Sequence, residues 1–118
     1  MDLKEFYKIV GGNYNEVSLR LSNKDMVLRF VKKFESDPTF SSLKESVSLK
    51  EYKNAFRHTH TLKGLSLTLG FNNLSISSSN LTEYLRNNEQ VDENKVMQLF
   101  VIVEADYNKV IDNIKEIK

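Results

Sequence analysis

Apolar residues recur along most of this chain at steps of three and four, the spacing of one face of an α-helix, and turn signals separate the runs. Asp2 can cap a short helix through Val10, which Gly11-Gly12 ends, and a second short stretch from about Tyr14 to Leu21 precedes a fresh start at Ser22 or Asn23. From Asp25 onward Met26, Val27, Phe30, Val31 and Phe34 keep helical spacing. Asp37-Pro38 stops that run, because proline disfavours helix at the residue before it. Pro38 suits the first turn of another helix, with Phe40, Leu43 and Val47 on one face until Ser48 to Lys50 interrupts it.

Glu51 to Leu69 reads as a longer helix, closed by Gly70 where a left-handed cap is usual. Asn72 or Asn73 can cap the next, whose stripe is Leu74, Ile76, Leu81 and Leu85 and which reaches Asn87-Asn88. Its serines, Ser75, Ser77, Ser78 and Ser79, read as small packing residues. The last segment has the cleanest period: after a cap at Asp92, Val96, Phe100, Val103, Tyr107, Val110, Ile114 and Ile117 step by four and three. That stripe is expected to face the protein's own core, with pairing to a partner helix as the alternative. An all-α helical bundle follows.

The chain has 118 residues, 40% hydrophobic and 28% charged, enough for one modest core and so for a single domain over 1–118. Seventeen Lys and Arg against sixteen Asp and Glu leave a formal charge of +1. That balance gives no broad basic field for nucleic acid or an anionic membrane, so neither is expected as a partner. No cysteine is present, which removes disulfides, thiolate nucleophiles and Cys-based zinc sites and fits a cytoplasmic setting. The longest apolar run, Leu99 to Val103, is far short of a spanning helix, which needs about 20 residues.

The chemistry concentrates in His58-Thr59-His60-Thr61-Leu62-Lys63-Gly64-Leu65-Ser66-Leu67-Thr68-Leu69-Gly70. At about 100° per residue, His60 lies at the edge of the apolar arc of Tyr52, Ala55, Phe56, Thr59, Leu62, Ser66 and Leu69, so its ring should reach water. Lys53, Arg57 and Lys63 fall on the same side and are expected to surround the imidazole with positive charge. A neutral imidazole is a competent nucleophile, and nearby cations stabilise the oxygens of a phosphoryl group in transfer. Gly64 is an oddity inside a helix, where it costs about 1 kcal/mol relative to alanine. One turn beyond His60, it removes a side chain that would obstruct an incoming partner, while Leu67 continues the strip with an apolar contact. A solvated basic face with an incidental histidine accounts for the same spacing. His58 and His60 point to nearly opposite sides of a helix, so a shared metal is not expected.

His60-Thr61-Leu62-Lys63-Gly64, followed by Gly70, resembles the core motif of the histidine-containing phosphotransfer domains of bacterial phosphorelays. The resemblance implies an antiparallel four-helix bundle with one or two additional short N-terminal helices. It also implies that His60 accepts a phosphoryl group from the phospho-aspartate of a receiver domain and passes it to another receiver. In that scheme Lys63 stabilises phosphoryl oxygens and Gly64 permits close docking. The receiver, in a response regulator or hybrid histidine kinase, supplies the aspartate and magnesium, and this chain binds no cofactor and has no kinase activity. Lys53, Phe56, Arg57 and Leu67 are auxiliary candidates for receiver contact, placed by their face of the helix. The carrier is expected to be a monomer, and the Met1 start favours a free-standing one. The competing expectations are a helical adaptor without phosphoryl transfer and a bundle that self-associates through the Val96 to Ile117 seam.

Overall fold

The computed structural model describes all of residues 1–118. Seven helices and no strand make up the chain: α1 (Leu3–Ile9), α2 (Tyr14–Arg20), α3 (Lys24–Phe34), α4 (Thr39–Ser48), α5 (Tyr52–Leu69), α6 (Asn72–Leu85) and α7 (Glu93–Ile114). Four starts are set by a side-chain oxygen that accepts from an otherwise unpaired backbone N–H. Asp2, Asn13, Asn23 and Asp92 accept in this way from Glu5, Glu16, Met26 and Asn94.

Two starts differ from the sequence expectation. Pro38 stands at the cap position of α4 instead of in its first turn, and the Asp37 carboxylate accepts from the Thr39 N–H at 2.8 Å. Asn72 and Asn73 do not cap α6 but lie in its first turn, behind Phe71. The turn after α1 supplies acceptors there: the Val10 carbonyl accepts from the Asn73 N–H, and the Gly11 carbonyl from the Asn72 side chain.

Helices α4 to α7 form the four-helix bundle. Short turns join α4 to α5 and α5 to α6, and each successive pair packs together, so neighbours run antiparallel. The ring closes between α4 and α7, where Phe40 stacks on Phe100 and, at a centroid distance of 4.0 Å, on Tyr107. Lys44 and Glu104 add an ion pair at 2.8 Å. The α7 seam faces inward, with Val96, Phe100, Val103, Val110, Ile114 and Ile117 all buried. Self-association through that seam is therefore overturned, because its apolar area is already spent on the core.

Small residues bring α5 and α6 together. Ala55, Thr59 and Ser66 meet a face that carries Ser75, Ser78 and Thr82, all buried. Their hydroxyls remain paired: Thr59 and Thr82 donate to the Ser78 carbonyl at 3.1 and 2.7 Å, and Ser66 and Ser78 donate to carbonyls of their own helices. Ser75, Ser77 and Ser78 are thus buried packing residues, whereas Ser79 is only half-buried and Ile76, expected in the apolar stripe, is 60% exposed. At the contact face of α6 the serines occupy the positions where bulky side chains would hold α5 away.

The two short N-terminal helices are α1 and α2, and α3 is a third and longer addition that packs on α5. Together they cover the end of the bundle that holds the α5–α6 turn. Phe6, Tyr7 and Phe34 gather around Phe71 in that turn. The buried Tyr7 hydroxyl donates to the Leu69 carbonyl at 2.6 Å, and burial pushes its phenol well above the ordinary tyrosine range. Arg20 donates to the carbonyls of Leu67 and Thr68. Gly70 takes the left-handed conformation that ends α5, with φ of 76°. Gly12 packs so closely that a Cβ there would collide with the Gly70 carbonyl oxygen. The C-terminal end of the helix that carries His60 is therefore held by α1, by α2 and by the turn between them.

Candidate functional site

The apolar arc of α5 is set by packing, and His60 falls just outside it. Thr59 and Leu62 are fully buried while His60 is exposed, so the ring stands in solvent on a helix fixed along its opposite side. Phe56, one turn earlier and half-buried, lies nearly parallel to the imidazole, with centroids 6.0 Å apart and planes 14° off.

Gly64 stands one turn after His60, also exposed. A Cβ built on it meets nothing within 4 Å. No close approach inside the chain accounts for this glycine, in contrast to Gly12. Beside it runs a groove between α3 and α5 of about 600 Å³, lined among others by Phe30, Lys33, Phe34, Thr61, Gly64 and Leu65. On the other side of His60, Leu67 and Ile76 are half or more exposed and border a smaller hollow with Lys63 and Asn80.

The cations do not surround the imidazole as expected. Lys63 turns toward α6, where its ammonium lies 4.0 Å from the Glu83 carboxylate. Arg57 donates to the Asn54 side chain one turn back. Lys53 is two turns below His60 and borders a separate hollow with Tyr52, Phe56, Leu85 and Glu89. Sharing a helix face is a weaker condition than sharing a site: seven residues of helix separate Lys53 from His60 by about 10 Å along the axis. His58 is half-buried and makes no side-chain hydrogen bond or ion pair.

Two residues near the histidine, Glu83 of α6 and Arg86 just past its end, were not singled out from the sequence. Arg86 donates to both oxygens of Glu83 at 3.2 Å, and its guanidinium lies over the Phe56 ring at 5.2 Å from the centroid. The Arg86 hydrogen bonds hold the Glu83 carboxyl below the usual carboxylate range, and the positive charges of Arg86, Lys63 and His60 add to this. Glu83 and Arg86 are three apart, a common helical ion-pair spacing, but only the register of α6 against α5 carries them to Lys63 and Phe56. The site therefore has an imidazole in solvent, a clear strip at Gly64, and a paired charge cluster at Lys63.

No helix of the chain is long and apolar enough to cross a membrane. No curated protein and no solved structure matches the chain at a significant level. A family model, described as Hpt domain, matches residues 31–116, from the last turn of α3 through all four bundle helices. Hpt domains are helical phosphotransfer domains that interact with receiver domains in phosphorelays. With the motif around His60 exposed on one helix of the bundle that this match spans, the chain belongs to the Hpt domain family.

Proposed function

We propose that this chain carries a phosphoryl group on His60, accepting it from the phospho-aspartate of one receiver domain and passing it to the aspartate of another. The observation that carries the reading is Gly64. A glycine in a helix interior is destabilising by about 1 kcal/mol, and nothing within the chain needs the space it leaves. A surface that stays clear at that cost, one turn from an exposed imidazole, suits a partner that must approach the ring closely.

The chemistry asks little of this chain. The lone pair of a neutral His60 ring nitrogen forms the N–P bond while the P–O bond to the aspartyl carboxylate breaks, its electron pair staying on the carboxylate. Both phosphorylated species are reactive, so positioning and charge stabilisation are sufficient and the transfer runs in either direction. Lys63, one turn from His60, is the cation of this chain that reaches the phosphoryl oxygens. The receiver brings the aspartate and the magnesium ion. Near His60 the carboxylate is Glu83, whose two oxygens accept from Arg86 while the Lys63 ammonium stands 4.0 Å away. The α3–α5 groove and the exposed Leu67 give the receiver apolar contact on both sides of the ring. Phe56 supports the imidazole from within, and Lys53 and Arg57 extend a basic margin along α5.

The test is phosphoryl transfer from a panel of phosphorylated receivers of the same genome, with magnesium. The chain is expected to gain label that is lost in acid and kept in base, and His60→Gln to gain none while it keeps full helicity. Label that persists in His60→Gln, or none from any receiver, would overturn the reading.

A further inference from the structure

Lys63 is the cation best placed to meet a phosphoryl group on His60, yet in the unphosphorylated protein it already faces a carboxylate. The three charges of this cluster are not held equally. Glu83 is gripped by both donors of the Arg86 fork at 3.2 Å, while Lys63 stands at 4.0 Å, beyond hydrogen-bonding distance. Arg86 is steadied in turn by the Phe56 face, which also lies against His60. Of the partners in this cluster, Lys63 is the least closely held, and its departure would leave both Glu83–Arg86 hydrogen bonds in place.

We propose that Glu83 is a competing anion for Lys63. The lysine exchanges the carboxylate for the phosphoryl oxygens when His60 is loaded and returns to it when His60 is unloaded. This rests on the phosphotransfer reading above and adds a positioning residue to it. Loading places a dianionic group on His60, one helical turn from Lys63, and costs the Lys63–Glu83 attraction. Glu83 thereby lowers the stability of the phosphorylated state relative to the free one and favours release to the next receiver. The Lys63 side chain is 28% exposed and that of Glu83 55%, so water screens the pair and its effect is modest.

The experiment uses whichever receiver labels the chain most readily and reads the end-point ratio of phosphohistidine to phospho-aspartate. Glu83→Gln, close to isosteric and on the surface, is expected to raise that ratio about two- to five-fold, the range of an exposed ion pair. A structural role alone would not move this equilibrium, and unchanged thermal unfolding of the variant checks that the bundle is intact. In a Lys63→Gln background the same substitution should have a smaller effect, since the exchange has lost its cation. An unchanged or lower ratio in Glu83→Gln would overturn the proposal. So would an equal or larger effect without Lys63, which would mean that Glu83 acts on the phosphoryl group directly. Absence of label in the wild-type chain with every receiver is a different failure, since it removes the phosphotransfer reading itself and this inference with it.

Discussion

A single missing methyl group separates Gly64 from alanine, and the fold has no use for its absence. Gly64→Ala should therefore stabilise the bundle by up to about 1 kcal/mol, raising the urea midpoint, because it adds helix propensity and meets no neighbour. Gly64→Leu should also unfold no earlier, while labelling by a receiver slows at least tenfold. A leucine variant that is labelled at the wild-type rate would show that the strip beside His60 need not be clear. At this scale the sequence placed His60, Lys63 and Gly64 within about one turn of each other on α5, because residues on one helix are related by a fixed rotation and rise. It did not foresee that Lys53 and Arg57 stand apart from the imidazole, since a common face says nothing of distance along the axis or of nearer partners such as Asn54.

Between elements, the informative contacts are those that hold α5 at its end. Tyr7 of α1 donates to the Leu69 carbonyl, and burial keeps its phenol protonated well above its ordinary value of about 10. In the unfolded chain the same group ionises near that value. The stability it contributes is thus whole below about pH 10 and falls as pH rises further, because the unfolded state then releases a proton that the native state keeps. Tyr7→Phe should cost about 1 kcal/mol at neutral pH and should show a shallower loss of stability above pH 10, both read from urea unfolding. Element boundaries were legible wherever a local signal sets them, as with Asp2, Asn23, Asp92 and Gly70. The start of α6 was not, because its acceptors belong to the turn after α1, some sixty residues earlier in the chain. Glu83 and Arg86 were hidden for the same reason: their meeting with Lys63 and Phe56 depends on how two helices are set against each other.

The whole molecule measures 44 × 23 × 20 Å, and the helices before the bundle are fastened to it by a few polar ties as well as by apolar packing. Lys32 of α3 donates to the carbonyls of Ile114 and Ile117 at 2.9 and 3.3 Å, at the end of α7, where the helix dipole favours a cation. Lys32→Met, which keeps most of the stem, should cost about 1 kcal/mol and speed amide exchange in the last turn of α7 without loss of helices elsewhere. The bundle as a class was readable from the α7 period and the spacing of turns, whereas the covering role of α3 was not, since nothing in its own stripe names the surface it meets. His60, Gly64 and their flanking hollows lie along one strip of α5, flanked by α3 and α6. On the proposed phosphotransfer reading, proteins that seek the imidazole must all come to that single berth, and two cannot moor there together. Under that reading traffic would be governed by how abundant each visitor is and how long it stays, so overproducing an idle receiver should throttle every route that shares the histidine.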